Sequence, residues 1–217
     1  MSNFQDIYRD FPSRVCEVWQ RTKTHPDNEA EDRSVTAMLM TAAAGFAMPW
    51  ENLKEVGLSE RDNWNAHPAF DNTDQSSYRD VLKKCAIFFK QKLHECESLQ
   101  DITFMHCQEL ADIKPAAENV SGGKALKLKD HNVRCAIRIF RNALAHNNIA
   151  AIGTDENHIQ KLVFFSENRV GSGCHSTRDG WLVLTISVQS FGAFLDAWFL
   201  LLAPPNSFAG AAKAFAS

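Results

Sequence analysis

The sequence predicts a mainly α-helical fold, a bundle with a small β-hairpin inserted before the C-terminal helix. Three observations predict it. Apolar residues recur at intervals of three and four over several long stretches, as a helix packed on one face requires. Between 149 and 186 the pattern gives way to runs of β-branched and aromatic residues parted by glycine-rich segments. A last amphipathic segment, stopped by Pro204 and Pro205, restores the helical period.

The first element is a helix from Phe4 to about Thr24, started or interrupted at Pro12, with Val15, Val18 and Trp19 at inward spacing. Pro26 and Asp27 mark a turn. The next helix carries Val35, Met38, Leu39, Ala42 and Phe46 on one face, with Glu29, Glu31 and Asp32 at its positive N-terminus. Its Ala42-Ala43-Ala44-Gly45 run allows another helix to come close. Pro49 and Trp50 are expected to end it, and Met48 to Leu53 to start a short helical turn.

Residues 57 to 75 are polar and irregular. A third helix is expected from a Ser76 cap to about Glu97, with Tyr78, Val81, Leu82, Cys85, Phe88, Phe89 and Leu93 on its apolar stripe. Leu99 to Ile113 reads as helical, closed by Pro115. The loop from Pro115 to Lys124 contains Ser121-Gly122-Gly123-Lys124 but lacks the full phosphate-loop pattern, and reads as a flexible connection. Strands are expected over 149–152, 159–165 and 181–186, with Glu167 to Gly180 as a long hairpin loop. Ser187 or Ser190 caps the final helix, in which Phe191, Phe194, Leu195, Trp198 and Leu202 keep core spacing.

The 217 residues are 45% hydrophobic and 23% charged, enough for one substantial core. A single domain over 1–203 follows, with 204–217 as a flexible C-terminal tail. A net charge of −3 argues against a broad basic surface but leaves room for a local basic cleft. The six cysteines form no CxxC pair, so a reduced, cytoplasmic protein is expected. His94 with Cys96, and His106 with Cys107, lack metal-finger spacing, and no metal or other cofactor is expected. Met1 to Phe11 has no targeting character. Phe191 to Ala203 is too short to span a bilayer and contains Asp196, so no membrane partner is expected.

The chemistry concentrates in Ala136 to Asn148, AIRIFRNALAHNN. At about 100° per residue, Leu126, Val133, Ala136, Ile137, Phe140, Ala143 and Leu144 share one arc of the helix, and Lys127, Arg134, Arg138 and Arg141 share the opposite one. Four bases stand beside a single acid, Asp130, so alternating surface ion pairs are missing. Asn142 and His146, four apart, are neighbours. Arg141 and His146, five apart, diverge by roughly 140° and converge only if the helix ends near His146 and the arginine reaches across. Asn147 and Asn148 suit such an end, since asparagine tolerates the left-handed cap.

Arg141-Asn142-Ala143-Leu144-Ala145-His146 resembles the signature of the HEPN superfamily, an arginine, a polar residue and, after a short spacer, a histidine. The chain is particularly similar to stand-alone bacterial and plasmid-borne members in which a phrase like IRNALAH ends the main helix, a β-hairpin follows, and an apolar-Pro-aromatic phrase lies after the second helix, here Met48-Pro49-Trp50. The resemblance implies a HEPN-like all-α bundle that dimerises and shares its site between protomers. Many such proteins are metal-independent ribonucleases of toxin or defence systems. One departure is Asn148, where relatives neutralised by a nucleotidyltransferase antitoxin carry tyrosine; this argues against regulation by nucleotide transfer at that position, and an antitoxin protein stands as a candidate partner.

RNA supplies its own nucleophile, the ribose 2′-OH, so a catalyst needs only to move protons and stabilise charge. Histidine, with an ordinary pKa of about 6.5, suits the first task at position 146. Guanidinium, always charged and able to hold phosphate through two parallel bonds, suits the second at position 141. Asn142 orients the histidine or touches phosphate. Arg138, Arg134, Lys127 and Asn147 are the candidate RNA-binding residues. Two other readings stand beside this one: a non-catalytic module that binds nucleotide or RNA, and a protein-interaction domain. Asp155, Glu156 and His158 do not form a metal cluster near the motif, and Cys174-His175 is poorly placed for a thiol nucleophile.

Overall fold

The computed structural model describes residues 14–21, 31–55, 84–118, 122–153, 159–170 and 177–202, and within 31–55 the side chains of 35–47. The expected Ser76 cap, the irregular stretch 57–75, the acidic loop 154–158, Cys174-His175 and the tail 204–217 lie outside these residues.

Five segments pair as strands: Thr103–Cys107 (β1), Gly123–Ala125 (β2), Ile149–Gly153 (β3), Ile159–Val170 (β4) and Thr177–Ser187 (β5). Their order in the sheet is β2-β1-β5-β4-β3, with every pair antiparallel. The mainly α expectation is therefore overturned, because a five-stranded sheet forms a whole layer where a small hairpin was foreseen.

The cause lies in long-range pairing. Leu99 to Ile113 reads as a helix locally, yet Phe104 stands opposite Leu184, and Met105 stands between Val183 and Ala125. Partners distant in sequence override a weak local preference. The Ser121 to Lys124 region enters the same sheet through β2, where Gly123 lies so close to Ala116 that a Cβ would sit 2.8 Å from that methyl. The foreseen hairpin also lengthens: β4 runs to Val170 and β5 starts at Thr177, so much of the expected 167–180 loop is ladder.

Six α-helical segments accompany the sheet among the described residues: 14–21 (α1), Glu31–Glu55 (α2), 84–90 (α3), Ile113–Ala117 (α4), Val133–His146 (α5) and Val188–Leu202 (α6). The second helix continues through Pro49 instead of ending there. The third stops at 90, because Leu93 N–H donates to His131 O and Val133 N–H to Gln91 O, pairing the chain with the approach to α5. Pro115 begins nothing and ends nothing: it lies in the first turn of α4, where a missing N–H is tolerated. Val18 faces outward, while Val15, Cys16 and Trp19 point in.

Both faces of the sheet carry apolar side chains. Phe104, Leu162, Phe164, Leu184 and Ile186 join the main core with α1, α2, α3, α5 and α6. Met105, Cys107, Val163, Trp181 and Val183 form a smaller core with Ile113, Ala116 and Ala117 of α4. At the centre of the main core, Phe140 of α5 contacts the rings of Phe46, Phe164, Phe191 and Phe194 at centroid distances of 4.8 to 5.8 Å. The close helix approach foreseen at Gly45 is made by α6: a Cβ there would overlap the Phe199 ring, and Trp198 Nε1 donates to Gly45 O at 2.9 Å. Asp196 accepts from Trp19 Nε1 at 2.7 Å, tying α6 to α1. No described helix is long and apolar enough to cross a membrane.

Candidate active site

The site is set by how α5 begins and ends. Asn132 Oδ1 caps its start by accepting from Cys135 N–H at 3.2 Å, so the helix starts at Val133. Lys127 and Leu126 precede it, Lys127 standing just before the turn Leu128–Asp130, and neither extends the helical faces drawn from spacing. Its end is at His146. Asn147 adopts the left-handed conformation (φ 55°), and both Asn147 and Asn148 donate N–H groups to Ala143 O.

After that cap the chain enters the sheet at once. Phe165 N–H donates to Asn148 O at 3.1 Å, and Ile149 faces Phe164. This short connection lays the last turn of α5 beside β4, and polar side chains meet there. Arg141 Nη1 donates to Asn142 Oδ1 at 3.0 Å, Asn142 Nδ2 to Ser166 Oγ at 3.3 Å, and Ser166 Oγ to Glu167 O at 3.5 Å. With both ends of its amide engaged, Asn142 is held in one orientation. Ser166 is 6% exposed, one of few buried polar side chains.

Beside this relay opens a cleft of about 510 Å³. Asn142 and His146 line it from α5, with Asn148 just beyond. Ser166, Glu167 and Arg169 face them from β4, and Trp181 closes the wall from β5. His146 is exposed at its rim. Arg141 is half-buried and meets this wall through Asn142. An apolar groove on the other side of the same sheet edge, lined by Ile113, Ala117, Ile152 and Phe165, shares Asn148 and Trp181 with it.

Of the residues expected from sequence, the structure thus sets Asn142 and His146 along one cleft and bonds Arg141 to Asn142. Arg134 and Arg138 are exposed on α5, and Arg138 stands ~12 Å along the axis from His146. They continue the basic face away from the cleft. Arg138 and Lys92 both bear on His131, whose pKa is held below its ordinary value first by burial and then by these two cations, against the opposing pull of Asp130. Asn147 serves as the helix cap and does not line the cleft. Ser166, Glu167, Arg169 and Trp181 were not foreseen. A signal for Ser166 did exist: Leu162 and Phe164 alternate inward, and position 166 puts a hydroxyl where the pattern demands a third apolar residue.

His106 Nε2 lies 2.6 Å from Asp179 O and Cys107 is buried beside it, while Cys96 is buried and His94 is exposed. Among the described residues no three His, Cys, Asp or Glu side chains cluster as metal ligands.

A family model described as HEPN pEK499 p136 matches residues 1–204. The chain belongs to that family. As a HEPN protein it falls in a class where ribonucleases and nucleotide-binding proteins are common, and the RNALAH phrase that ends α5 carries both its arginine and its histidine. No curated protein and no solved structure matches the chain significantly.

Proposed function

We propose that this HEPN protein is a metal-independent endoribonuclease, acting in a toxin or defence system, that cleaves RNA by transesterification. The observation that carries the reading is the fixed Asn142 beside an exposed His146 in an open cleft, with Arg141 bonded to that asparagine. A half-buried arginine on a partly buried hydrogen-bond relay is not the arrangement of a solvated surface charge.

In the reaction, the 2′-oxygen attacks phosphorus, and its proton passes to a histidine acting as base. The P–O5′ bond breaks, and the leaving 5′-oxygen takes a proton from a histidine acting as acid. Products are a 2′,3′-cyclic phosphate and a 5′-hydroxyl. Arg141 stabilises the charge gathering on the phosphoryl oxygens, and Asn142 fixes the arginine's position. A homodimer supplies both histidines, with Arg141 of one protomer working with His146 of the other; this overcomes the divergence of the two side chains along one helix. Arg134 and Arg138 hold flanking RNA through its backbone.

The test is incubation of purified protein with mixed RNA in excess EDTA. Cleavage persists in chelator and disappears in His146→Ala and Arg141→Ala, and the 3′ ends carry cyclic phosphate. Full cleavage by both variants would show that the site lies elsewhere. RNA binding by the wild type without cleavage favours a binding module.

A further inference from the structure

We infer that Arg169 is a second phosphate-binding residue of this cleft, supplied by the sheet and held in reserve by Glu167. The inference rests on the ribonuclease reading above and names a contact that the α5 motif does not contain.

Arg169 follows Glu167 by two positions on β4, so both side chains leave the same side of the strand. The register between β4 and β5 shifts here, two steps on β4 opposing three on β5 from Trp181 to Arg178. Both residues line the wall that faces His146 and Asn142. The ladder also sets Arg169 directly opposite Arg178, a pairing of like charges that weakens a hairpin. Each arginine finds separate relief. Arg178 lies over the Trp181 ring, 4.6 Å from its centroid, and Arg169 turns to Glu167.

That second contact leaves the arginine available. Both Nε and Nη2 of Arg169 bond to the same Glu167 oxygen, at 3.0 and 2.8 Å, in a pair that is open to solvent on both sides. An exposed pair of this kind holds weakly. A phosphodiester entering beside His146 offers two oxygens in the geometry the guanidinium fork prefers, and displaces the carboxylate. Glu167 is therefore a competitor for the same cation. Its removal frees Arg169, whereas removal of Arg169 leaves an acid in the path of RNA.

The inference is tested on full-length protein carrying His146→Ala, so that binding is read without cleavage. The probe is a short fluorescent single-stranded RNA of mixed sequence, followed by anisotropy over a range of salt concentrations. Arg169→Gln weakens binding about tenfold and lowers the slope of log Kd against log salt by about one. Glu167→Gln tightens binding, and Arg178→Gln leaves it within error of the parent. Parental affinity and slope in Arg169→Gln, or weaker binding in Glu167→Gln, overturns the inference while leaving the ribonuclease reading intact. Failure of wild type and parent alike to engage or cut RNA overturns both.

Discussion

Asn147 shows at the scale of a single residue how a candidate RNA-binding residue also sets the site's geometry through its backbone. Its φ of 55° lies where most residues are strained, and Asn147→Ala should cost ~1 kcal/mol, whereas Asn147→Gly should be near neutral. Urea denaturation checks this, and retained RNA cleavage in Asn147→Gly separates the cap from any direct contact with RNA. His131 makes a second prediction. It packs edge-on against Phe104 at 4.6 Å, and burial, the largest cause, lowers its pKa from the ordinary value of about 6.5. Between 6.5 and the lowered value the unfolded chain binds the proton more readily than the folded one, so stability falls as pH drops below about 6.5. The gap in urea midpoint between wild type and His131→Phe should change as pH falls through that window. A gap independent of pH between 7.5 and 5.5 would remove His131 as the cause.

At the scale of elements, α5 is pinned by its apolar side and presents its polar side. Phe140 is fully buried among four other aromatic rings, and Phe140→Ala should cost ~3 to 5 kcal/mol, read as a lower unfolding midpoint. Gly45 makes the opposite kind of demand: it has room for no side chain, so Gly45→Ala should cost ~1 to 3 kcal/mol by forcing Phe199 aside. The elements differ in how far sequence reveals them. The helical stripe of α5, its left-handed end and the core spacing of α6 are local properties, readable from the spacing of Val133, Ile137, Phe140 and Ala143 or of Phe191, Phe194 and Trp198. β1 is not such a property. Thr103 to Cys107 becomes a strand only because Trp181 to Thr185 lies on one side and Gly123 to Ala125 on the other.

For the whole molecule, the thiols report how the layers close over one another. Burial pushes Cys16 up to about 11, helped by Asp196, and Cys85 up to about 12 against a backbone hydrogen bond that lowers it. At pH 8 a thiol at 11 is roughly one part in a thousand thiolate. Among the described cysteines, Cys135 is half-buried while the others are buried, so it should be alkylated first in native protein. Cys16 and Cys85 should react only on unfolding, which mass spectrometry of labelled peptides can follow. Assembly yields a sharper test of the shared site. Neither Arg141→Ala nor His146→Ala should cleave RNA alone, and mixed dimers of wild type with His146→Ala should lose nearly all activity, because the reaction needs a histidine from each protomer. Half the wild-type activity in proven mixed dimers would mean that each chain uses its own arginine and histidine.

By itself the sequence determined the motif helix, its end at His146 and the adjacency of Asn142 to His146, because these depend on helical spacing and on the conformational tolerance of asparagine. It also carried the family, through a short phrase whose residues are contiguous. The tertiary structure alone decided that a five-stranded sheet backs this helix, and that Ser166, Glu167 and Arg169 stand across from His146. Those residues lie twenty and more positions beyond the histidine, and what brings them there is strand pairing and the turn at Asn147. Backbone partners far apart in the chain settle such features, and no local spacing encodes them.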